Sequence, residues 1–359
     1  MPDLAAPTLA EILAARQRVE GTALRTQLVR LPTPNGGREI WLKLETLQPI
    51  GSFKIRGAAS AIKLAPREQL ARGVFTASAG NMAQGVAWCA RELGVPCTVV
   101  VPDSAPRAKL EAVEALGGRL VAVSFDRWWQ VLVERRFEGL EGLFVHPVSD
   151  AAVIAGNATI GLEILEDLPA VTDVFVPFGG GGLSCGIAAA LRVSGAGGRV
   201  IAAEVETAAP LAASLRAGRA SRVERRPSFV DGIGGGAVLE EMWPLAASLL
   251  AGTCIVTLDE IAAAIRMLVR QVRVVAEGAG GASLAAALSG RAAVVAGGAE
   301  VERGGWFIGA TSSGPPASSS AAEVKPFGAG PLVCVISGGG IDPSMLSVLL
   351  RGELPQPPC

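Results

Sequence analysis

One lysine, Lys54, lies where its amine can act as a nucleophile. It follows Gly51-Ser52-Phe53 and is predicted to lie in the first turn of a helix, with Ser52 available to cap that turn. The positive end of the helix dipole and the unpaired amides of that turn disfavour an ammonium ion. An amine that loses its charge there can attack a carbonyl carbon. From this motif alone, an exposed lysine at a helix start is an equally good alternative.

Four consecutive glycines, Gly179–Gly182, follow a predicted strand and precede a predicted helix. Without side chains, their backbone amides can turn toward one anion, and a phosphate is the natural guest. The run is not a dinucleotide fingerprint, because Ser184 lies where the third glycine would fall. It also lacks the Gly-Lys-Ser/Thr of a P-loop. The alternative is a tight strand–helix turn without a ligand.

Two other strand ends carry polar groups. Ser78-Ala79-Gly80-Asn81 offers a hydroxyl, a side-chain amide and helix amides that suit a carboxylate, although the same residues could only cap a helix. Ser337 ends the last predicted strand, where a hydroxyl can meet a ring nitrogen or simply begin a turn. An amine, a phosphate cradle and this hydroxyl together match an aldehyde, a phosphate and a pyridine nitrogen. These are the functional groups of pyridoxal 5′-phosphate.

The composition excludes several other classes of protein. The 359 residues carry a formal net charge of −1, which gives no field for nucleic acid or an anionic membrane. Six cysteines form no Cys-x-x-Cys pair, which favours reduced core thiols in a cytoplasmic protein. The single histidine, His146, cannot build a multi-histidine metal site and is predicted to be structural. Charged residues or glycines interrupt the long apolar stretches, so we predict no membrane segment and no signal peptide.

The elements that position these groups alternate between short β-branched runs and helical patterns. This alternation predicts an α/β fold with two doubly wound parallel-sheet lobes and the ligand between them. We expect a large lobe formed by residues 1–68 and 147–359 and a small lobe formed by 69–146. The predicted strands are Glu39–Glu45, Gly73–Ser78, Pro96–Pro102, Arg119–Ser124, Asp173–Phe178, Arg199–Val205, Thr253–Leu258 and Leu332–Ser337. The main predicted helices are Asn81–Leu93, Arg107–Leu116, Ala158–Leu168 and Leu183–Val193.

Residues 299–330 break this alternation. The segment is rich in Gly, Ser, Ala and Pro and cannot bury enough surface to fold alone. We expect a flexible surface insertion, with a substrate lid as the alternative.

The motifs resemble those of the fold type II (tryptophan synthase β-like) pyridoxal-phosphate enzymes. The resemblance covers nearly the whole chain and is to the serine/threonine dehydratase family, which includes threonine ammonia-lyases and serine racemase-like enzymes. It implies the two-lobed fold with the cofactor between the lobes, and it suggests a homodimer. The matching segments are Ser52–Gly57, Ser78–Gly85, Val153–Gly156, Thr159–Glu163, Gly179–Gly182, Glu277–Gly280 and Ser337–Gly339.

The resemblance also implies the role of each cofactor residue. Lys54 would hold the cofactor as a Schiff base and remove the Cα proton of the substrate. Phe53 would pack beside the ring, and Asn81 would bind its phenolic oxygen. Gly179–Gly182 (Gly179, Gly180, Gly181 and Gly182) would bind the phosphate, and Ser337 would face the pyridine nitrogen. A neutral serine there favours β-elimination over transamination. The reaction would convert a β-hydroxy amino acid into a 2-oxo acid and ammonia.

The substrate carboxylate would bind the loop formed by Ser78, Ala79, Gly80, Asn81 and Met82. Two of these residues depart from the family pattern. Met82 replaces the usual histidine, which suggests a more apolar pocket and a bulkier substrate than serine or threonine. Ala79 replaces the second serine of the racemases, which counts against racemisation. Racemase or β-replacement chemistry on the same cofactor is the alternative function, and a non-enzymatic binding protein with this fold is the third.

Many relatives also bind a divalent cation through a glutamate, a backbone carbonyl and an aspartate. Glu204 matches the glutamate, and Ala208 could supply the carbonyl, but Pro210 replaces the aspartate. An oxygen site without this carboxylate is weakened. A divalent cation therefore remains only a secondary expectation.

Overall fold

Two separate β-sheets organise the chain. A computed structural model describes residues 4–32, 38–289, 293–294, 300–301 and 329–356. The strands are β1 Leu28–Arg30, β2 Ile40–Leu44, β3 Val74–Ala77, β4 Cys97–Pro102, β5 Arg119–Val123, β6 Leu143–Phe144, β7 Asp173–Pro177, β8 Arg199–Val205, β9 Gly252–Val256, β10 Ala293–Val294, β11 Glu300–Val301 and β12 Leu332–Ile336.

Thirteen α-helices lie in the described part of the chain. They are α1 Leu9–Val19, α2 Lys54–Leu64, α3 Arg67–Ala71, α4 Asn81–Glu92, α5 Arg107–Ala115, α6 Phe125–Glu134, α7 Ala151–Asp167, α8 Gly182–Val193, α9 Pro210–Ala217, α10 Trp243–Leu249, α11 Leu258–Met267, α12 Gly278–Leu288 and α13 Pro343–Arg351. Within the described ranges, no helix has the length and apolar character that crossing a bilayer requires.

The large sheet has the strand order β1-β2-β12-β7-β8-β9-β10-β11, and the small sheet has the order β5-β4-β3-β6. The small sheet is parallel throughout, as is the centre of the large sheet from β2 to β9. Among the described strands, the antiparallel pairs of the large sheet are β1–β2, β9–β10 and β10–β11, at its two edges. The carboxyl ends of β12 and β7 therefore meet at one edge, where ligands of such sheets bind.

The predicted α/β architecture with parallel sheets is confirmed. All eight predicted strands occur with ends within two residues of the prediction. The predicted helix Ala158–Leu168 begins about two turns too late, because α7 begins at Ala151 with Asp150 as its N-cap. The strands of the small sheet all lie between residues 74 and 144. The lobe boundaries at 68/69 and 146/147 stay predictions. Most of the predicted insertion at 299–330 lies outside the described residues.

Helix α2, which begins at Lys54, lies between α4 and α7 and packs against both. Glycines permit both contacts. A Cβ on Gly85 of α4 would lie 3.3 Å from the Lys54 carbonyl oxygen, and one on Gly156 of α7 would lie 2.5 Å from the Arg56 carbonyl oxygen. The backbone of α2 is therefore in direct contact with its neighbour on each side.

Four buried charges anchor α2 to the rest of the large lobe. The Arg56 guanidinium donates to both oxygens of Glu45, at 2.8 Å each, and to Glu163 Oε1 at 2.6 Å. Lys43 on β2 donates to Glu163 Oε2 at 2.6 Å. Burial alone would lower the pKa of Arg56, but Glu45 and Glu163 raise it above its ordinary value. The cluster holds two cations and two carboxylates, so its charges balance.

Removing one charge from this cluster should destabilise the protein strongly. We expect Glu163→Gln to lower the free energy of unfolding by about 3–5 kcal/mol, because it leaves two buried cations, Arg56 and Lys43, with one carboxylate between them. Glu166→Gln on the same helix is the control, since Glu166 pairs with Arg16 and Arg25 at the surface and should cost about 1 kcal/mol or less. Urea unfolding followed by circular dichroism measures both. Equal effects would show that the buried cluster is not an anchor.

Candidate active site

The amine of Lys54 lies in an apolar setting with one hydrogen-bond acceptor. Its Nζ donates to the Pro147 carbonyl oxygen at 2.9 Å and lies 5.2 Å from the centre of the Phe53 ring. Burial lowers the pKa of Lys54 to about 8, and the charge of Glu277 opposes this shift. The Lys54 amide donates to Ser52 Oγ at 3.4 Å, a long bond, while Phe53 occupies the cap position without a side-chain bond. A fraction of the amine is therefore already uncharged near neutral pH, and most of it is uncharged above about pH 8.

The loop that follows β12 pairs with the segment that precedes Lys54. The Phe53 amide donates to the Ser337 carbonyl oxygen at 3.1 Å, and the Gly339 amide donates to the Gly51 carbonyl oxygen at 2.9 Å. Ser337 is buried. These backbone bonds join two motifs that lie about 285 positions apart in the chain. They place the Ser337 hydroxyl and the Lys54 amine on neighbouring segments.

The four glycines form the turn between β7 and α8. Gly181 has a φ of +94°, a conformation that favours glycine, and α8 begins at Gly182. A Cβ on Gly180 would lie 2.5 Å from both methyl groups of Val148, and one on Gly182 would lie 2.9 Å from the Val148 carbonyl oxygen. The turn therefore cannot carry side chains on this face. Its amides and the N-terminus of the 12-residue helix α8 form a suitable phosphate cradle.

Asn81, the first residue of α4, reaches across the cleft to the large lobe. Its Nδ2 donates to Glu277 Oε1 at 2.9 Å. The Glu277 amide, just before α12, donates to the Gly338 carbonyl oxygen at 3.0 Å. Burial raises the pKa of Glu277 to about 7, the nearby Asp231 adds to the shift, and Lys54 opposes it. Sequence analysis identified the Glu277 motif but gave its carboxylate no role.

The loop expected to bind the substrate carboxylate lies between β3 and α4. The Gly80 amide donates to Ser78 Oγ at 3.3 Å, and Gly80 precedes the helix that begins at Asn81. Ala79 is half-buried. Met82 is only 1% exposed and belongs to the apolar core of the small lobe. Its side chain therefore does not line an open pocket.

The single histidine has a structural contact. The Nδ1 atom of His146 accepts hydrogen bonds from the amides of Val148 and Ser149, at 3.1 and 2.8 Å. Burial lowers the pKa of His146 to about 3, and Arg135 and Lys54 add to the shift. His146 is therefore neutral, with its proton on Nε2. It shapes the segment that presents the Pro147 carbonyl to Lys54.

The residues expected to bind a divalent cation do not fit one. Glu204 Oε1 accepts from the Leu211 amide at 2.7 Å, and its Oε2 accepts from the Ala212 amide at 2.9 Å and from Thr253 Oγ1 at 3.0 Å. The carboxyl group thus caps α9, which begins at Pro210 without a side-chain cap of its own. The Ala208 amide donates to Val205. The described residues contain no cluster of three acidic, histidine or cysteine side chains that could hold a metal.

Comparison with known proteins identifies the class. The profile of the pyridoxal-phosphate dependent enzymes matches residues 19–301, and the chain belongs to this family. It is 42% identical over 287 residues to an L-threonine ammonia-lyase of Thermotoga maritima, covering 79% of this chain and 71% of the relative. It is 36% identical to an L-threonine ammonia-lyase of Geobacter sulfurreducens, covering 96% of this chain and 78% of the relative.

Solved structures show the same fold. Maize serine racemase superimposes with a TM-score of 0.78 at 28% identity, covering 97% of this chain and 98% of that one. Threonine deaminase isoform 2 of Solanum lycopersicum superimposes with a TM-score of 0.76 at 29% identity, covering 96% of this chain and 92% of that one. The predicted fold type II architecture is confirmed.

The residues of this site fit the family's cofactor. Lys54 offers an amine of lowered pKa, and the glycine turn, whose Cβ positions at Gly180 and Gly182 are closed by Val148, offers backbone amides at the start of α8. The Ser337 hydroxyl lies on the segment paired with the one that carries Lys54. Together these groups can hold the aldehyde, the phosphate and the ring nitrogen of pyridoxal 5′-phosphate.

A side chain at Gly180 should distort the glycine turn and weaken cofactor binding. We expect Gly180→Ala to raise the dissociation constant of pyridoxal 5′-phosphate at least about tenfold, about 1.4 kcal/mol, because the new Cβ clashes with Val148. Adding Val148→Ala should restore much of the affinity, and Val148→Ala alone is the matched control. Absorbance titration of the cofactor-free protein measures all three. An unchanged affinity in Gly180→Ala would rule out this turn as the phosphate site.

Proposed function

We propose that this protein is a pyridoxal-phosphate-dependent ammonia-lyase that removes water from a β-hydroxy amino acid and yields a 2-oxo acid and ammonia. The main observation is the Lys54 amine, whose pKa is lowered to about 8. Its segment pairs with the Ser337 loop, and its hydrogen-bond acceptor, Pro147, precedes the Val148 that packs on the glycine turn. The threonine ammonia-lyase relatives, up to 42% identical, support the same reaction. When bound, the cofactor withdraws electrons from the substrate Cα, so that its proton becomes acidic and the β-hydroxyl can leave.

Lys54 is the group that moves the proton. An amine with a pKa near 8 is a sufficiently populated base at physiological pH, whereas an ordinary lysine is almost fully protonated. The Pro147 carbonyl oxygen accepts its hydrogen bond and fixes the position of Nζ without adding a charge. A carboxylate in that place would raise the pKa of the amine and weaken it as a base.

The buried Ser337 hydroxyl favours elimination over competing reactions. We assign it to the ring nitrogen of the cofactor, as the resemblance implies. A neutral hydroxyl partner leaves that nitrogen without a proton, which limits the spread of negative charge into the ring. With an unprotonated ring nitrogen, the bound cofactor would favour loss of the β-hydroxyl over transamination.

Threonine and serine are the proposed substrates. The Ser78–Met82 loop would hold the carboxylate through the Ser78 hydroxyl and the amides at the start of α4. The replacement of histidine by Met82 no longer supports a bulkier substrate, because Met82 packs into the core of the small lobe. The names of the relatives favour threonine.

Racemisation is the second candidate, since serine and aspartate racemases share the fold at 27–28% identity. It needs a second acid–base group on the opposite face of the cofactor. The family's racemases carry a serine at the position of Ala79, and a methyl group cannot transfer a proton. β-Replacement is the remaining alternative on the same cofactor.

We also propose a cytoplasmic homodimer. Buried thiols support a reducing compartment: Cys89 and Cys185 form no disulfide, and burial raises the pKa of each to about 12. The homodimer rests on the resemblance to the dehydratase family. Light scattering during size-exclusion chromatography measures the mass directly, and a monomer would contradict this part of the proposal.

The activity itself is tested with L-threonine and L-serine. We expect 2-oxo acid and ammonia in equal amounts from the wild type, and a loss of about 10²–10⁴-fold or more in turnover for Lys54→Ala. Lys63→Ala is the matched control, because Lys63 is exposed at the other end of α2. Chiral chromatography of the remaining substrate reports any inversion. Normal turnover in Lys54→Ala would refute the proposed base, and inversion without 2-oxo acid would identify a racemase.

The reactivity of Lys54 should follow its lowered pKa. Because only the neutral amine attacks an aldehyde, we expect the rate of cofactor attachment to rise with pH and to level off above a midpoint near 8, well below the ordinary 10.5. Glu277→Gln removes a negative charge that raises the pKa of Lys54, so its midpoint should fall. Stopped-flow absorbance of the cofactor-free protein between pH 6 and 10 measures these rates. A midpoint near 10 would contradict a desolvated amine.

A further inference from the structure

Two contacts cross the cleft on the side of α4 and α5. Lys109 on α5 forms an ion pair with Asp231, which lies in the loop after Val230 on the large lobe. Asn81 at the start of α4 donates to Glu277 at the start of α12. Both contacts join a helix of the small lobe to a segment of the large lobe. We call these four residues the rim cluster.

The two contacts of the rim cluster are physically connected. Gly232 directly follows Asp231, and a Cβ on Gly232 would lie 3.4 Å from Glu277 Oε1. On the other side, a Cβ on Gly338 would lie 2.5 Å from the same oxygen, and one on Gly340 would lie 3.2 Å from Glu277 Oε2. Glycine backbone therefore lies against the carboxyl group on both sides, and one of these glycines, Gly232, directly follows the Asp231 of the ion pair.

We propose that Asp231 and Lys109 are positioning residues that set the charge of Glu277 and, through its hydrogen bond, the orientation of the Asn81 amide. This inference rests on the proposed function and on the role that the family resemblance implies for Asn81, which is to bind the phenolic oxygen of the cofactor. An ionised Glu277 accepts one N–H of Asn81 and leaves the other N–H of Nδ2 for the cofactor. A protonated Glu277 is a weaker acceptor and holds the amide less firmly.

The charges around Glu277 act in opposite directions. After burial, the Asp231 carboxylate is the main group that raises the pKa of Glu277, whereas the Lys109 ammonium, the Asn81 amide and the Lys54 ammonium lower it. The resulting pKa of about 7 makes Glu277 sensitive to either partner near neutral pH.

The test measures the visible absorption band of the full-length, cofactor-loaded protein as a function of pH. We expect a transition near pH 7 in the wild type. Asp231→Asn should move its midpoint to lower pH and Lys109→Ala should move it to higher pH, each by roughly 0.2–0.7 pH unit, since both charges are partly exposed. In a Glu277→Gln protein, which keeps an oxygen acceptor for Asn81, the transition should be absent, and neither substitution should shift the spectrum further.

The control is Arg107→Ala on the same helix α5, where Arg107 pairs with Glu111 and Glu114 of that helix. It should leave the midpoint unchanged. A shift of the midpoint in the same direction in Asp231→Asn and Lys109→Ala would overturn the proposal, because only an electrostatic role predicts opposite shifts for opposite charges. A transition that persists in Glu277→Gln would overturn it as well. If the variants show either of these outcomes while the wild type binds the cofactor and produces 2-oxo acid, the proposed role of the rim cluster is wrong and the proposed function stands. A wild type without cofactor binding refutes the proposed function.

Discussion

The position at which α2 begins controls the whole site, and four buried charges fix it. Arg56 lies two residues after Lys54, and its guanidinium contacts Glu45 beside β2 and Glu163 on α7. A guanidinium has a planar set of donors, so it holds both carboxylates in one geometry and gives the helix a single register. The amine that we propose as the catalytic base is thus placed by buried charge pairs that lie two residues away in the chain.

Around the amine itself the chain uses dipoles in place of charges. A backbone carbonyl orients Lys54, backbone amides line the proposed phosphate cradle, and the Ser337 hydroxyl is the proposed partner of the ring nitrogen. Fixed dipoles need no reorganisation during the reaction, and they leave the pKa of the amine low. A nearby carboxyl group, Glu277, is itself largely desolvated. This combination suits a base that must lose and regain one proton near neutral pH.

Most of the fold and the motif chemistry could be predicted from the sequence because both are local. A strand end followed by glycine or serine, as at Gly179–Gly182 and Ser337, can be recognised from a few consecutive residues of the sequence. The contacts of Pro147 with Lys54 and of Glu277 with Asn81 could not be predicted, because they join segments 93 and 196 positions apart. The Glu204 prediction rested on matching residue types alone. It could not foresee that the amides of α9 would occupy that carboxylate.

The glycine contacts of α2 tie the helices around the site to one another. At Gly156 the backbones of α2 and α7 lie so close that a Cβ would be 2.5 Å from the Arg56 carbonyl oxygen, and α7 packs in turn on α8, which begins at the glycine turn. At Gly85 the backbone of α4 lies against the first turn of α2, where a Cβ would be 3.3 Å from the Lys54 carbonyl oxygen. A larger residue at either glycine would therefore push apart helices that carry different site residues, so a substitution far from the ligand would disturb the spacing of the whole site.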